Sequence, residues 1–242
     1  MVIKLFLKPV FSFLFIGCLC CANAQLIDNS STFRNIHNNS YFRFHYDNDY
    51  FTKSDEYYSQ GITLEYVHPS IVRFPLSKLL WKPFETVAQY GISFNLLGYT
   101  PTTILSDSIL YGDRPFHAGI SLKTFLIQAD PAHKQQISTG FSAGVTGPAA
   151  LGYDIQYNIH RWLNNQVPHG WQYQTKNDIL INYQINYEKQ LVSAGNNFLL
   201  NTAAEARLGT LNDKLSGGFN FMAGRFNERY QPVTHEKRKA EY

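Results

Sequence analysis

Beyond position 21 the chain has no cysteine: Cys18, Cys20 and Cys21 are its three, and all stand near the N-terminus. An exported domain without disulfides needs another framework, because small secreted folds usually lean on such bridges. Charge is scarce too. Asp, Glu, Lys and Arg make up 16% of the 242 residues, against about 25% in ordinary soluble domains. After the first two dozen residues nothing approaches the roughly 18 consecutive apolar residues of a transmembrane helix, which excludes a helical membrane bundle. Nor is there a concentrated basic patch, and this argues against nucleic acid as a partner.

What the chain does have begins with an export signal. Lys4 and Lys8 form a basic start, Val10 to Cys21 an apolar centre, and Ala22-Asn23-Ala24 a small-residue cleavage site before Gln25. Residues 1–24 therefore read as a signal peptide and imply the cell envelope. Phe15-Ile16-Gly17-Cys18 offers a lipidation alternative, weakened by its Phe. Without Lys4 and Lys8 the 21 Lys and Arg fall to 19, against 18 Asp and Glu. Residues 25–39 are polar, rich in Asn and Ser, and read as a leader to a single domain over 40–242.

Aromatic residues reach 15%, with 16 Tyr and 18 Phe. They recur on segments of period-two alternation, the pattern of half-buried strands. Such segments are Tyr41–Tyr46, Gly61–Val67, Gln89–Leu96, Ala118–Leu126, Gln136–Val145, Ile179–Tyr187, Phe198–Leu208 and Gly217–Phe226. Export, absent cysteine, few charges and aromatic-rich strands together point to an antiparallel outer-membrane β-barrel with aromatic girdles, all-β in class. A secreted β-sandwich is the alternative. Val72–Phe84, broken by Pro75 and Pro83, fits a short helix or an external loop. The end, His235–Tyr242, is charged where a barrel should close on an apolar strand, so a shortened chain is expected.

One segment breaks the alternation. From Gly147 to His160 the spacing predicts a helix started by Pro148, whose missing N–H costs nothing there. Tyr153, Gln156 and His160 fall at helical spacing on one face. Such a helix could aim an imidazole at a substrate, or merely cap the sheet.

Other constellations are weaker. Asp47-Asn48-Asp49, followed by Thr52, Ser54 and Asp55, concentrates oxygen donors suited to Ca²⁺, though Asn and Asp also favour plain turns. Gly140-Phe141-Ser142-Ala143-Gly144 fits the serine-hydrolase elbow pattern but lies within a strand, not at a strand–turn–helix corner. Asp113-Arg114 ahead of a strand is a structural pair or, through its Arg, a phosphate contact. His37, His45, His68, His117, His133, His169 and His235 show no zinc-ligand spacing.

In order along the chain stand Asn48-Asp49-x-Phe51-Thr52, Tyr57-Tyr58-Ser59-Gln60-Gly61, Tyr99-Thr100-Pro101, Asp113-Arg114-Pro115-Phe116, the Gly147–His160 segment and Gly170-Trp171-Gln172-Tyr173-Gln174. This series resembles the lipid A 3′-O-deacylase family of outer-membrane barrels over roughly residues 41–190. The resemblance implies an antiparallel barrel of twelve strands, about eight of them visible here. It also implies hydrolysis of the 3′-linked acyloxyacyl ester of lipid A, dependence on Ca²⁺, and a site between the wall and the helix. Carried over residue by residue, it makes His160 the catalytic histidine and Gln156 the glutamine one turn earlier. Asn48 and Asp49 become the active-site pair, with Asp49 on the cation, and Ser59 stands where Thr is usual. Two departures follow: His117 interrupts the Asp-Arg-Pro-aromatic-Ala-Gly motif, and Gln166 stands where a second carboxylate would meet the cation.

The expected protein is thus an outer-membrane ester hydrolase, a monomer whose substrate is lipid A or lipopolysaccharide and whose surroundings are membrane lipid. His160 would be general base, Asn48 and Ser59 would orient water or carbonyl, and Gln156 would position helix or substrate. A non-enzymatic barrel, scaffold or small-solute pore, and a phospholipase are the competing readings.

Overall fold

The computed structural model describes residues 39–48 and 57–225. The expected signal peptide and most of the leader lie outside the described residues, as do Asp49, Thr52, Ser54, Asp55 and the charged C-terminal segment. Among the described residues eight strands follow one another: β1 (Tyr41–Asn48), β2 (Tyr57–Val67), β3 (Ala88–Thr100), β4 (His117–Asp130), β5 (Gln135–Thr146), β6 (Asp178–Ala194), β7 (Phe198–Gly209) and β8 (Lys214–Ala223). Each pairs antiparallel with its sequence neighbours, in the spatial order β1 to β8. The eight expected strands are all present, and most are longer than their alternating cores because polar and glycine residues carry the pairing on at their ends. β6 runs from Asp178 to Ala194, well past the expected end at Tyr187.

Alternation sorts the side chains onto two faces. Register places Tyr41, Arg43, His45 and Asp47 of β1 opposite Val67, Glu65, Thr63 and Gly61 of β2. This polar face carries internal ion pairs and hydrogen bonds. Arg43 Nη2 meets Glu65 Oε2 at 3.0 Å, and the Tyr41 hydroxyl donates to Glu65 Oε1 at 2.9 Å. Farther along, Lys123 Nζ donates to Gln184 Oε1 at 2.9 Å, and Lys214 Nζ and Arg207 both meet Glu205. The other face is apolar and largely exposed: Phe42, Phe44, Leu64, Tyr66, Phe94, Leu122, Ile179, Ile181 and Phe219. A sheet that hides polar groups and displays aliphatic and aromatic ones is built for a lipid surround. Ser142 sits mid-strand in β5, opposite Lys123 and Asn182 on the polar face, so no nucleophile elbow exists there.

The connections differ at the two ends. One end carries the tight turns 131–134 and 195–197; the other carries the loops 101–116 and 147–177. Short turns mark the periplasmic end of such barrels and long loops the outer end. The short turn 210–213, at the long-loop end, and the connection between β2 and β3 depart from this rule. The latter lies at the short-turn end, yet spans residues 68–87 and forms two 3₁₀ turns, Pro69–Arg73 and Pro75–Leu79. Val72–Phe84, read as a short helix or an external loop, thus holds the short 3₁₀ turn Pro75–Leu79 and the end of Pro69–Arg73; Pro75 and Pro83 deny it a continuous helix.

That connection folds against the apolar face. The Ser77 hydroxyl donates to Ile71 O at 2.8 Å and lies 3.2 Å from the Thr124 hydroxyl of β4. Trp81 N donates to the Tyr183 hydroxyl at 2.8 Å, and that hydroxyl donates to Leu79 O at 3.2 Å. Thr139 of β5 donates to Trp81 O at 3.1 Å. Gln128 Nε2 donates to Phe84 O at 2.7 Å and to Thr86 O at 3.1 Å. Thr124 and Gln128 are fully buried as a result, whereas Ile179, on the same face near the other end, is 64% exposed.

Candidate active site

The β5–β6 connection leaves and re-enters the sheet at the long-loop end, beside the Ser59 end of β2 and the Thr100 end of β3. Its geometry begins at Gly147, whose φ of 81° admits glycine most readily and whose N–H donates to Ala118 O at 2.8 Å. A Cβ there would stand 2.5 Å from Lys176 O. Pro148–Ala150 forms a 3₁₀ turn, Leu151 adopts a left-handed conformation at φ 58°, and only then does helix α1 (Gly152–Trp162) begin. The helix therefore starts four residues later than Pro148 suggests, because the left-handed Leu151 separates the turn from the helix.

The buried stripe of α1 is Gly152, Gln156 and His160. Tyr153 is not part of it; it is exposed and packs on Tyr157, ring centroids 5.5 Å apart. Gly152 holds the stripe's first place because the helix meets the wall there. A Cβ on it would stand 2.4 Å from Ala118 Cβ and 2.6 Å from the Trp171 ring. Ala118 shares the apolar face of β4 with Ile120 and Leu122, so α1 lies against the face turned to lipid. Phe116, Ile104, Ala150 and Trp171 complete the packed corner, with the Phe116 and Trp171 rings 4.9 Å apart.

Polar partners hold the Gln156 and His160 side chains. Trp171 Nε1 donates to Gln156 Oε1 at 2.8 Å. Gln156 Nε2 is buried and has no hydrogen-bond partner among the described residues. The chain after α1 turns back through left-handed Asn164, bringing Gln166 O within 2.6 Å of His160 Nδ1. A carbonyl oxygen only accepts, so Nδ1 carries the hydrogen. In the neutral ring Nε2 then holds the lone pair, the form a general base requires. His160 itself is 7% exposed.

Ser59, at an irregularity of the β2–β3 register, is buried with its hydroxyl 2.6 Å from that of Thr100. Asn48 ends β1, its main chain paired with Gln60, so it belongs to the same end of the sheet; its side chain lies outside the described part. Asp47 is engaged on the polar face, 2.9 Å from His45 Nε2 and 3.4 Å from the Tyr58 hydroxyl. Among the described residues no three of His, Cys, Asp and Glu gather as a metal site. Ser59, Thr100 and Gln156 offer neutral oxygens only, and Asp49 lies outside the described residues.

Loop 101–116 had no structural reading from sequence beyond its Asp-Arg pair. Asp113 Oδ2 accepts from Thr102 N at 2.8 Å and from the Thr102 hydroxyl at 2.7 Å. Those donors hold its carboxyl below the usual carboxylate range, and Arg114 N, donating to Oδ1, adds to the effect. Asp113 is thus a loop clasp. Arg114 instead places its guanidinium 4.2 Å from the Tyr99 ring centroid. The loop walls a cavity of about 220 Å³ with Gly170 and Tyr173.

A family model described as outer membrane protein LpxR matches residues 10–241. The solved structure of LpxR from Salmonella typhimurium is similar at a TM-score of 0.50 and 18% identity, over 68% of this chain and 48% of that one. This chain thus spans about half the length of that solved relative. No curated protein matches the chain in sequence. The structural likeness speaks for the fold, and the family match extends over nearly every residue described above.

Proposed function

The chain belongs to the LpxR outer membrane protein family, and from that membership and the helix on its lipid-facing wall we propose an outer-membrane ester hydrolase that removes the 3′-linked acyl chain of lipid A. The observation that carries this reading is the placement of Gln156 and His160. Both lie on the buried stripe of α1 whose first residue, Gly152, meets Ala118 of the apolar face, at the rim where the long loops gather. A soluble substrate has no reason to approach from that side; an amphiphile with its ester at the membrane boundary does.

Water attacks the ester carbonyl while His160 Nε2 takes its proton; Nδ1–H, fixed on Gln166 O, keeps the lone pair aimed and steadies the charged ring. Collapse of the tetrahedral intermediate breaks the bond to the sugar oxygen, and Nε2 returns the proton to that leaving oxygen. The products are the free fatty acid and the 3′-hydroxyl. The Gln156 Nε2 hydrogens, without a partner among the described residues, donate to the carbonyl oxygen as charge develops on it. The Ser59 hydroxyl and the Asn48 side chain orient the water or the carbonyl. Asp49 is the proposed Ca²⁺ ligand, and the ion when bound supplies positive charge near the oxyanion. With Gln166 in place of a second carboxylate, the cation is held more weakly than two acids would hold it.

Mass spectrometry of lipid A from cells with and without the protein tests the reading. Loss of the 3′ acyl mass, abolished in His160→Ala, is expected. Unchanged lipid A with conductance across planar bilayers would instead make the protein a pore, to which the polar inner face lends itself. Fatty acid released only from glycerophospholipid would make it a phospholipase.

A further inference from the structure

The 68–87 connection is long where the turns 131–134 and 195–197 at the same end are short, and it sits on the face that meets lipid. Irregular backbone against hydrocarbon must find internal partners for its N–H and C=O groups. Gln128, Thr139 and Tyr183 supply them, and Thr124 meets the Ser77 hydroxyl, four polar side chains interrupting an otherwise apolar wall. Such investment holds the segment at one depth. Its outer surface has a particular chemistry. Val72, Leu79, Trp81 and Val87 are exposed, between 47% and 58%. Arg73, Lys78 and Lys82 are exposed beside them, and Glu85 is the segment's single acidic residue. Apolar side chains, a tryptophan and interleaved cations are the composition of a peptide lying in a membrane interface.

We propose that residues 68–87 form an interfacial strap that binds phospholipid in the leaflet opposite the candidate active site. Arg73, Lys78 and Lys82 take headgroup phosphates, while Val72, Leu79, Trp81 and Val87 enter the boundary with the acyl chains. The occupant is lipid rather than a soluble protein, because the strap continues without a break into the lipid-facing wall of β4, β5 and β6. Their Leu122 and Ile181 remain exposed toward the other end. The strap thereby fixes the vertical position of the barrel, and with it the height of α1 in the other leaflet.

The test uses the full chain folded into bilayers of phosphatidylethanolamine and phosphatidylglycerol, with bromine placed on the acyl chains near the headgroups. The chain has three tryptophans, so the Trp81→Phe variant isolates the emission of Trp81 by difference. Expected is strong quenching of that emission by shallow bromines and little by aqueous iodide. The R73Q/K78Q/K82Q variant, exposed at every changed position, should keep its fold and lose several-fold in its preference for co-purifying phosphatidylglycerol over phosphatidylcholine. Quenching of Trp81 by iodide but not by brominated lipid would overturn the proposal, placing the segment in water or against a soluble protein. An unchanged lipid preference in the triple variant would overturn the role of the three cations.

Discussion

The ring of His160 and the main-chain oxygen of Gln166, six residues on, are joined at 2.6 Å. Because the acceptor is backbone, the bond survives any change of the Gln166 side chain. His160→Ala should cost about 10²–10⁴ in deacylation rate, the usual worth of a positioned base, while Gln166→Ala keeps the imidazole aimed. Rates on purified lipid A for the two variants check this, and equal losses in both would contradict it.

Gly152→Ala tests the contact between helix and wall. The added methyl would need the space of Ala118 Cβ, 2.4 Å away, and of the Trp171 ring. Overpacking of that kind typically costs about 1–3 kcal/mol. A fall in thermal stability of the outer rim is expected together with lost activity, since Gln156 and His160 ride on the same helix. Heat-modifiable gel mobility and activity, measured side by side, should both change.

Trp171 and Gln156 should behave as one unit. Trp171→Phe removes the only donor given to Gln156 Oε1 among the described residues and leaves a buried acceptor unpaired, at about 1–3 kcal/mol. Gln156→Ala should lower the rate by about 10²–10³ if its free N–H hydrogens serve the oxyanion. The double variant should then lose less than the sum of the two single losses. Strict additivity would separate the residues.

The Asp113 clasp gives a pH dependence. Its folded pKa is lowered by donors from Thr102, so its contribution to loop order is fully present above the ordinary carboxylate range. The contribution is lost as pH falls through the lowered folded value. Protease cleavage within 101–116 should therefore rise on acidification below that range in the parent. Thr102→Val, which keeps the backbone donor but removes the hydroxyl, should move the rise to higher pH.

Much of this was legible beforehand, for a physical reason. A strand with one face in lipid and one on a polar interior must alternate, so Tyr41–Tyr46 or Ile179–Tyr187 announce themselves by period alone. The stripe of Gln156 and His160 was legible from helical spacing, but not its first member: Gly152 matters through what it lacks, and only the position of Ala118 explains that. Tyr153 misled because period counts its angle and not the wall's. The helix start was misread since nothing in Leu151 advertises a left-handed backbone. The strap was legible only as a short helix or loop over Val72–Phe84, with nothing to show that it docks on the wall. Its own residues have no period, and its partners, Thr124, Gln128, Thr139 and Tyr183, look like isolated blemishes on three different strands.

The hydrogen bonds between Tyr183 and the 79–81 backbone reach across a hundred residues, whereas every strand pairing among the described residues joins neighbours. Hairpins can zip one after another from β1 onward, but this tie cannot exist before β6 has arrived. During assembly the three-proline linker can meet Thr124 and Gln128 once β4 is in place and Thr139 once β5 is. Its last clasp, on Tyr183, closes only with the sixth strand and so reports the wall beneath it finished.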